Sequence, residues 1–98
     1  MPLISENELA AALNRLPQWA VHNGQLTRTF CFRDFVAAFG WMTQVALVAE
    51  RLNHHPEWRN VWNRVEVALT THDAGGITEQ DVALAEAMEQ LANPYLAR

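Results

Sequence analysis

A chain of 98 residues, half of them hydrophobic and 18% charged, is expected to form one domain spanning 1–98 around a single thin core. A formal net charge of −4, with seven arginines scattered along the chain, argues against a nucleic-acid surface, which needs a basic face to displace counterions. The longest apolar run, FVAAFGWM at 35–42, falls far short of the roughly 18 residues that a membrane span requires.

The opening residues MPLISENEL carry acids and lack a basic signal-peptide region, so a cytoplasmic location is expected. A first helix starts here. Ser5 is a natural N-cap, Glu8 completes S-x-x-E, and Ile4 and Leu9 are spaced as a hydrophobic staple. Pro17 stops this helix near Leu16. Asn23-Gly24 then separates two short runs of alternating apolar and polar residues. That pair suits a type I′ turn, so strands are expected at about 18–22 and 25–31.

Residues 33–52 carry the longest helical pattern. Phe35, Phe39, Met42, Ala46 and Ala49 form one row, and Trp41, Val45, Val48 and Leu52 a second. At 100° per residue the rows merge into an apolar arc of roughly 200°, about twice what a surface helix needs. One side can cover a sheet, and the surplus points to a second subunit. Two more extended segments follow at about 57–62 and 64–70, the second alternating Val65, Val67 and Leu69 with Arg64, Glu66 and Ala68. DAGG at 73–76 breaks the chain. Thr78 caps a last helix running to about Asn93, before Pro94, with Ile77 and Val82 as its staple. The order is helix, two strands, helix, two strands, helix.

Absences narrow the chemistry. One cysteine, Cys31, allows neither an internal disulfide nor a multi-cysteine zinc site. There is no lysine for a Schiff base, and the only serine, Ser5, is poorly placed for a nucleophile. No Gly-rich phosphate loop is present. Histidine, carboxylate and water remain.

RLNHHPEWRNVW, residues 51–62, therefore draws attention: two adjacent imidazoles, a proline and two tryptophans. Glu50 and His54 are four apart at the end of the long helix, a spacing that puts them on one face. His54 reads either as a helix-end histidine paired with an acid or as a catalytic group. His55, biased to extended backbone by Pro56, is a solvated loop residue or a second ring aimed into the same site. His72, at a strand exit before a glycine turn, is surface or site. Asp81 occupies N3 of the last helix, where capping is the ordinary reading. Trp58 and Trp62, both placed in a strand, would face one side, as core or as a rest for a flat ligand. His22 beside the turn reads as exposed. A zinc or iron site is disfavoured, because neither H-x-x-x-H nor H-E-x-x-H is present.

Taken in sequence, Glu50, His54-His55-Pro56, Trp62, His72 and Asp81 resemble the signature of the pterin-4a-carbinolamine dehydratases. NHHPEWRNVWNRVEVALTTHDAGGITEQD resembles that family almost continuously. It departs mildly at Asn53, Trp62 and Ala74, where some members carry Asp, Tyr and Cys. The resemblance implies an α+β fold, a four-stranded antiparallel sheet with helices on one face, in homodimers or homotetramers. It implies dehydration of a 4a-hydroxytetrahydropterin to the quinonoid dihydropterin, with no cofactor and no metal, in functional partnership with an aromatic amino acid hydroxylase. His54, His55 and His72 would be catalytic, the first and last as acids. Glu50, Pro56, Trp58, Trp62, Thr71 and Asp81 would bind substrate or support the site, with Glu50 fixing the His54 tautomer. The alternatives are a protein-interaction module, such as the dimerisation cofactor of a transcription factor, or a regulator of the hydroxylase.

Overall fold

The computed structural model describes residues 1–97. Ser5 caps α1 (Glu6–Arg15) through a reciprocal box: its Oγ accepts from the Glu8 N–H at 3.1 Å, and Glu8 Oε1 accepts from the Ser5 N–H at 3.2 Å. Strands β1 (Ala20–His22) and β2 (Gln25–Cys31) pair across Asn23 and Gly24, whose φ values of 52° and 73° are those of the expected type I′ turn. Asp34 caps α2 (Phe35–Leu52), accepting from the Ala37 N–H at 2.7 Å, so this helix begins two residues later than the apolar pattern alone suggests.

Strands β3 (Glu57–Val61) and β4 (Arg64–Leu69) complete one antiparallel sheet of order β1-β2-β4-β3. A short 3₁₀ turn (His72–Ala74) leads to α3 (Glu79–Ala92) and a second 3₁₀ turn at Asn93–Tyr95. The helices pack on one face of the sheet. The central strands β2 and β4 send Leu26, Phe30, Val65, Val67 and Leu69 to that face, all buried. Trp41 of α2 seals the layer. Its ring lies 4.6 Å from that of Phe30 and 4.9 Å from that of Phe32, and its indole N–H donates to the Met88 carbonyl at 3.0 Å. The only polar group of an otherwise large apolar side chain is thereby satisfied.

One expectation is corrected here. Trp62 is not in a strand with Trp58. It takes φ 52° in the turn joining β3 to β4 and exposes 65% of its surface, whereas Trp58 is half-buried with its ring 5.9 Å from that of Trp41. Positive φ crowds a bulky side chain against its own backbone, so the strand must end at Val61. The long apolar arc of α2 is divided between core and surface. Trp41, Val45 and Ala49 are buried, but Phe35, Val36, Phe39 and Leu47 are exposed by 47, 78, 56 and 67%. No helix among the described residues is long and apolar enough to cross a membrane.

Candidate active site

The site grows from the end of α2. Asn53 takes the left-handed conformation, φ 51°, and its N–H bonds back to the helix at the Ala49 and Glu50 carbonyls. Asparagine tolerates this geometry better than most residues. The left-handed cap turns the chain, so the next two residues leave the helix and their rings diverge. Pro56 then commits the chain to β3.

His54 turns inward and is buried, its Nε2 2.5 Å from Asp81 Oδ1. Asp81 is completely buried. Its other oxygen accepts from the Thr71 hydroxyl at 2.9 Å and from the Thr78 N–H at 2.8 Å. Thr71 spends its single proton on Asp81, so across the 2.7 Å contact with Thr78 the Thr78 hydroxyl is the donor. Both oxygens of Asp81 are thus hydrogen-bonded, which is what a buried carboxylate requires. A carboxylate only accepts, so His54 carries its proton on Nε2 towards Asp81, leaving Nδ1 without a hydrogen bond among the described residues. The capping role read for Asp81 and a site-supporting role thus coincide in one side chain.

The expected Glu50–His54 pair does not form. Glu50 instead meets His55, with Oε1 2.5 Å from Nε2, on the exposed side. The i, i+4 rule holds only while both residues are helical, and the cap at Asn53 ends the helix one residue before His54. His72 follows β4 in the 3₁₀ turn. Its Nε2 lies 2.9 Å from Glu57 Oε1 at the start of β3.

His54, His55 and His72 line one hollow of about 320 Å³, together with Asn53, Thr71, Asp73 and Gln80. That is at the small end of the range for small-molecule sites, about 300–1,000 Å³. Glu50 and Asp81 border it through their histidines. Pro56, Trp58 and Trp62 do not line it: Pro56 and Trp58 shape β3 and the core behind it, and Trp62 lies at the opposite end of β3. A larger hollow of about 590 Å³ lies on the open face of the sheet, between Gln18, Ala20, Thr27, Arg59 and Ala68. It holds one histidine, His22, beside Glu57 and Glu66, whereas three imidazoles converge on the smaller hollow. No group of three or more His, Cys, Asp or Glu side chains among the described residues is arranged to hold a metal ion.

Three residues escaped the sequence reading, Asp73 and Gln80 in the lining and Glu57 on His72, while Asn53, noted there only as a departure from the family pattern, also lines the hollow. Gln80 is the second residue of α3, and its amide donates to the Leu52 carbonyl at 3.3 Å, tying the start of α3 to the end of α2. Only Glu57 carried a legible signal, as an acid directly after H-H-P.

Residues 2–91 match the family model described as pterin 4 alpha carbinolamine dehydratase. The chain belongs to that family. Within the family it is 56% identical over 91 residues to a protein of Rhizorhabdus wittichii named "Putative pterin-4-alpha-carbinolamine dehydratase", covering 91% of this chain and 94% of that one. A protein of Nitrobacter winogradskyi with the same name is 59% identical over 90 residues, covering 90% and 89%. Among solved structures, the fold resembles the crystal structure of a transcriptional coactivator/pterin dehydratase from Brucella melitensis, with a TM-score of 0.87 and 47% identity over 92% of this chain and 98% of that one.

Proposed function

We propose that this member of the family dehydrates a 4a-hydroxytetrahydropterin by histidine acid–base chemistry. The observation that carries the reading is the convergence of three imidazoles on one hollow, each with Nε2 against its own carboxylate. In the reaction the C4a–O bond breaks, the departing oxygen takes a proton and leaves as water, and N5 loses its proton as the C4a=N5 bond forms. Oxidation state is unchanged. An acid and a base suffice, and histidine serves as either near neutral pH. His54 and His72 act as acids in their imidazolium form, keeping Nε2–H on the carboxylate and giving the Nδ1 proton to the leaving oxygen, from the buried and the exposed sides of the hollow. His55 binds the ring or accepts the N5 proton. Asp81, rather than Glu50, fixes the His54 tautomer, and Thr71 holds Asp81 in place. Glu50 does the corresponding work for His55.

The test is direct. Freshly generated 4a-hydroxytetrahydropterin is mixed with purified protein, and dehydration is followed by ultraviolet absorbance. The rate is expected to rise in proportion to protein concentration and to be the same with a chelator present. No acceleration over buffer would remove the reading, and loss of activity on chelation would replace it with a metal-dependent one.

A second reading, a protein-interaction module, draws on the exposed Phe35, Val36, Phe39 and Leu47 of α2 and on the coactivator description of the Brucella structure. The same apolar stripe supports assembly as a homodimer or homotetramer. Neither role calls on His54, His55 or His72, so both are compatible with dehydration. A functional partnership with an aromatic amino acid hydroxylase, which would supply the substrate, follows from the same reading.

A further inference from the structure

We infer that Glu57 is a positioning residue for His72, and that Gln25 steadies it from across the sheet; the inference rests on the dehydratase reading above. The three histidines are held very differently. The His54 ring is fixed by burial as well as by Asp81. His55 is paired with Glu50, five residues back on the same stretch of chain. His72 has 77% of its side chain exposed, and its one side-chain hydrogen bond among the described residues is to Glu57. The backbone beneath it is well fixed. Thr71 bridges Gly76, with its N–H on the Gly76 carbonyl at 2.8 Å, and Gly75 closes the turn onto the His72 carbonyl at 3.1 Å with φ 79°. The ring can still rotate about χ1 and χ2 unless something holds it. Glu57 does so from a different strand.

The sequence places Glu57 for this work. Pro56 sets the entry to β3, and Glu57 pairs with Ala68 of β4, four residues before His72. The face carrying Glu57 is open, with Ala68 and Thr27 as its small neighbours in the same cross-strand row. A methyl at Ala68 leaves space for long side chains to pass over β4. Across it the Gln25 amide donates to Glu57 Oε2 at 3.2 Å, while Oε1 faces His72 at 2.9 Å. Both carboxylate oxygens are thus committed. An acceptor on Nε2 keeps that N–H on Glu57 and leaves Nδ1 as the nitrogen that exchanges a proton with substrate, the same choice of ring nitrogen that Asp81 makes for His54.

In steady-state dehydration, Glu57→Ala is expected to lower kcat about 10-fold with KM changed less than about twofold, the size typical of losing an orienting partner. In a His72→Ala background the same substitution is expected to change kcat less than about twofold, because no ring remains to be oriented. Glu57→Gln keeps an oxygen acceptor for Nε2–H and is expected to recover most of the loss. Glu66→Gln, on the same sheet face but paired with Arg59 and Arg64, serves as the control with unaltered kcat. Equal losses from Glu57→Ala in both backgrounds would overturn the inference. An arm independent of turnover is the ¹⁵N NMR signal of His72 Nε2 in the free protein, expected to move in Glu57→Ala while the His54 signals stay. An unmoved His72 signal would also overturn it. If the wild-type protein dehydrates nothing, the functional reading fails, and the NMR arm alone decides whether Glu57 positions His72.

Discussion

Removing the His54 imidazole is expected to slow dehydration by about 10²–10⁴-fold, the usual worth of a positioned proton-transfer group. His54 is chosen because it is the one site histidine with a buried ring. Its neighbour Asp81 makes it sensitive, since alanine would leave a fully buried carboxylate oxygen without its donor, at a cost of about 1–3 kcal/mol. A His54→Ala protein could therefore lose activity by unfolding. His54→Gln separates the effects: its side-chain amide can still donate to Asp81 Oδ1 but cannot deliver a proton to a leaving oxygen. Both variants are expected to show the kinetic loss, and only His54→Ala a clear fall in Tm. A folded His54→Gln protein working within about threefold of wild type would remove His54 from the chemistry.

Asp81→Ala is expected to be the most destabilising single change near the site. The carboxylate accepts from three donors contributed by three segments: His54 after α2, Thr71 after β4, and Thr78 at the start of α3. Truncation leaves all three without their acceptor, the fully buried Thr78 N–H among them, and removes half of the α3 capping box. A loss of about 3–5 kcal/mol is expected, as when one partner of a buried hydrogen-bonded pair is deleted. For a domain of this size that is a fall in Tm of about 15–30 °C. Asp81→Asn should lose less, because the amide oxygen still serves Thr71 and Thr78. Thermal melting followed by circular dichroism reads both. A shift below about 5 °C for Asp81→Ala would mean that the three segments are held together by something other than this carboxylate.

Much of the fold was legible because local signals agreed with one another. Ser5 with Glu8, Asn23 with Gly24, and Thr78 before α3 are caps and turns whose chemistry is confined to a few residues, and each sits where the pattern put it. The rest was not legible where a long-range contact or a backbone reversal decided the outcome. Arg28 alternates with Leu26 and Phe30 and so points into the core, against what its charge suggests. It is accommodated by stacking its guanidinium 4.0 Å over Phe30 and by an ion pair to Glu89 of α3, which also accepts from the Trp19 indole at 2.7 Å. Nothing near Arg28 in sequence announces Glu89. At the site, the residue types and their spacing were readable, but the pairing was not. Whether Glu50 meets His54 or His55 depends on a single φ at Asn53. The Glu57–His72 contact depends on the register of β3 against β4.

The most direct measurement is a titration of histidine-labelled protein with a stable dihydropterin, following the imidazole NMR signals. His22 is a built-in reference, because it lines the larger hollow on the open sheet face instead of the proposed site. The signals of His54, His55 and His72 are expected to move together along one saturation curve while His22 stays fixed. Movement of His22 with the other three unchanged, or three separate saturation curves, would contradict a single pterin site built from these imidazoles.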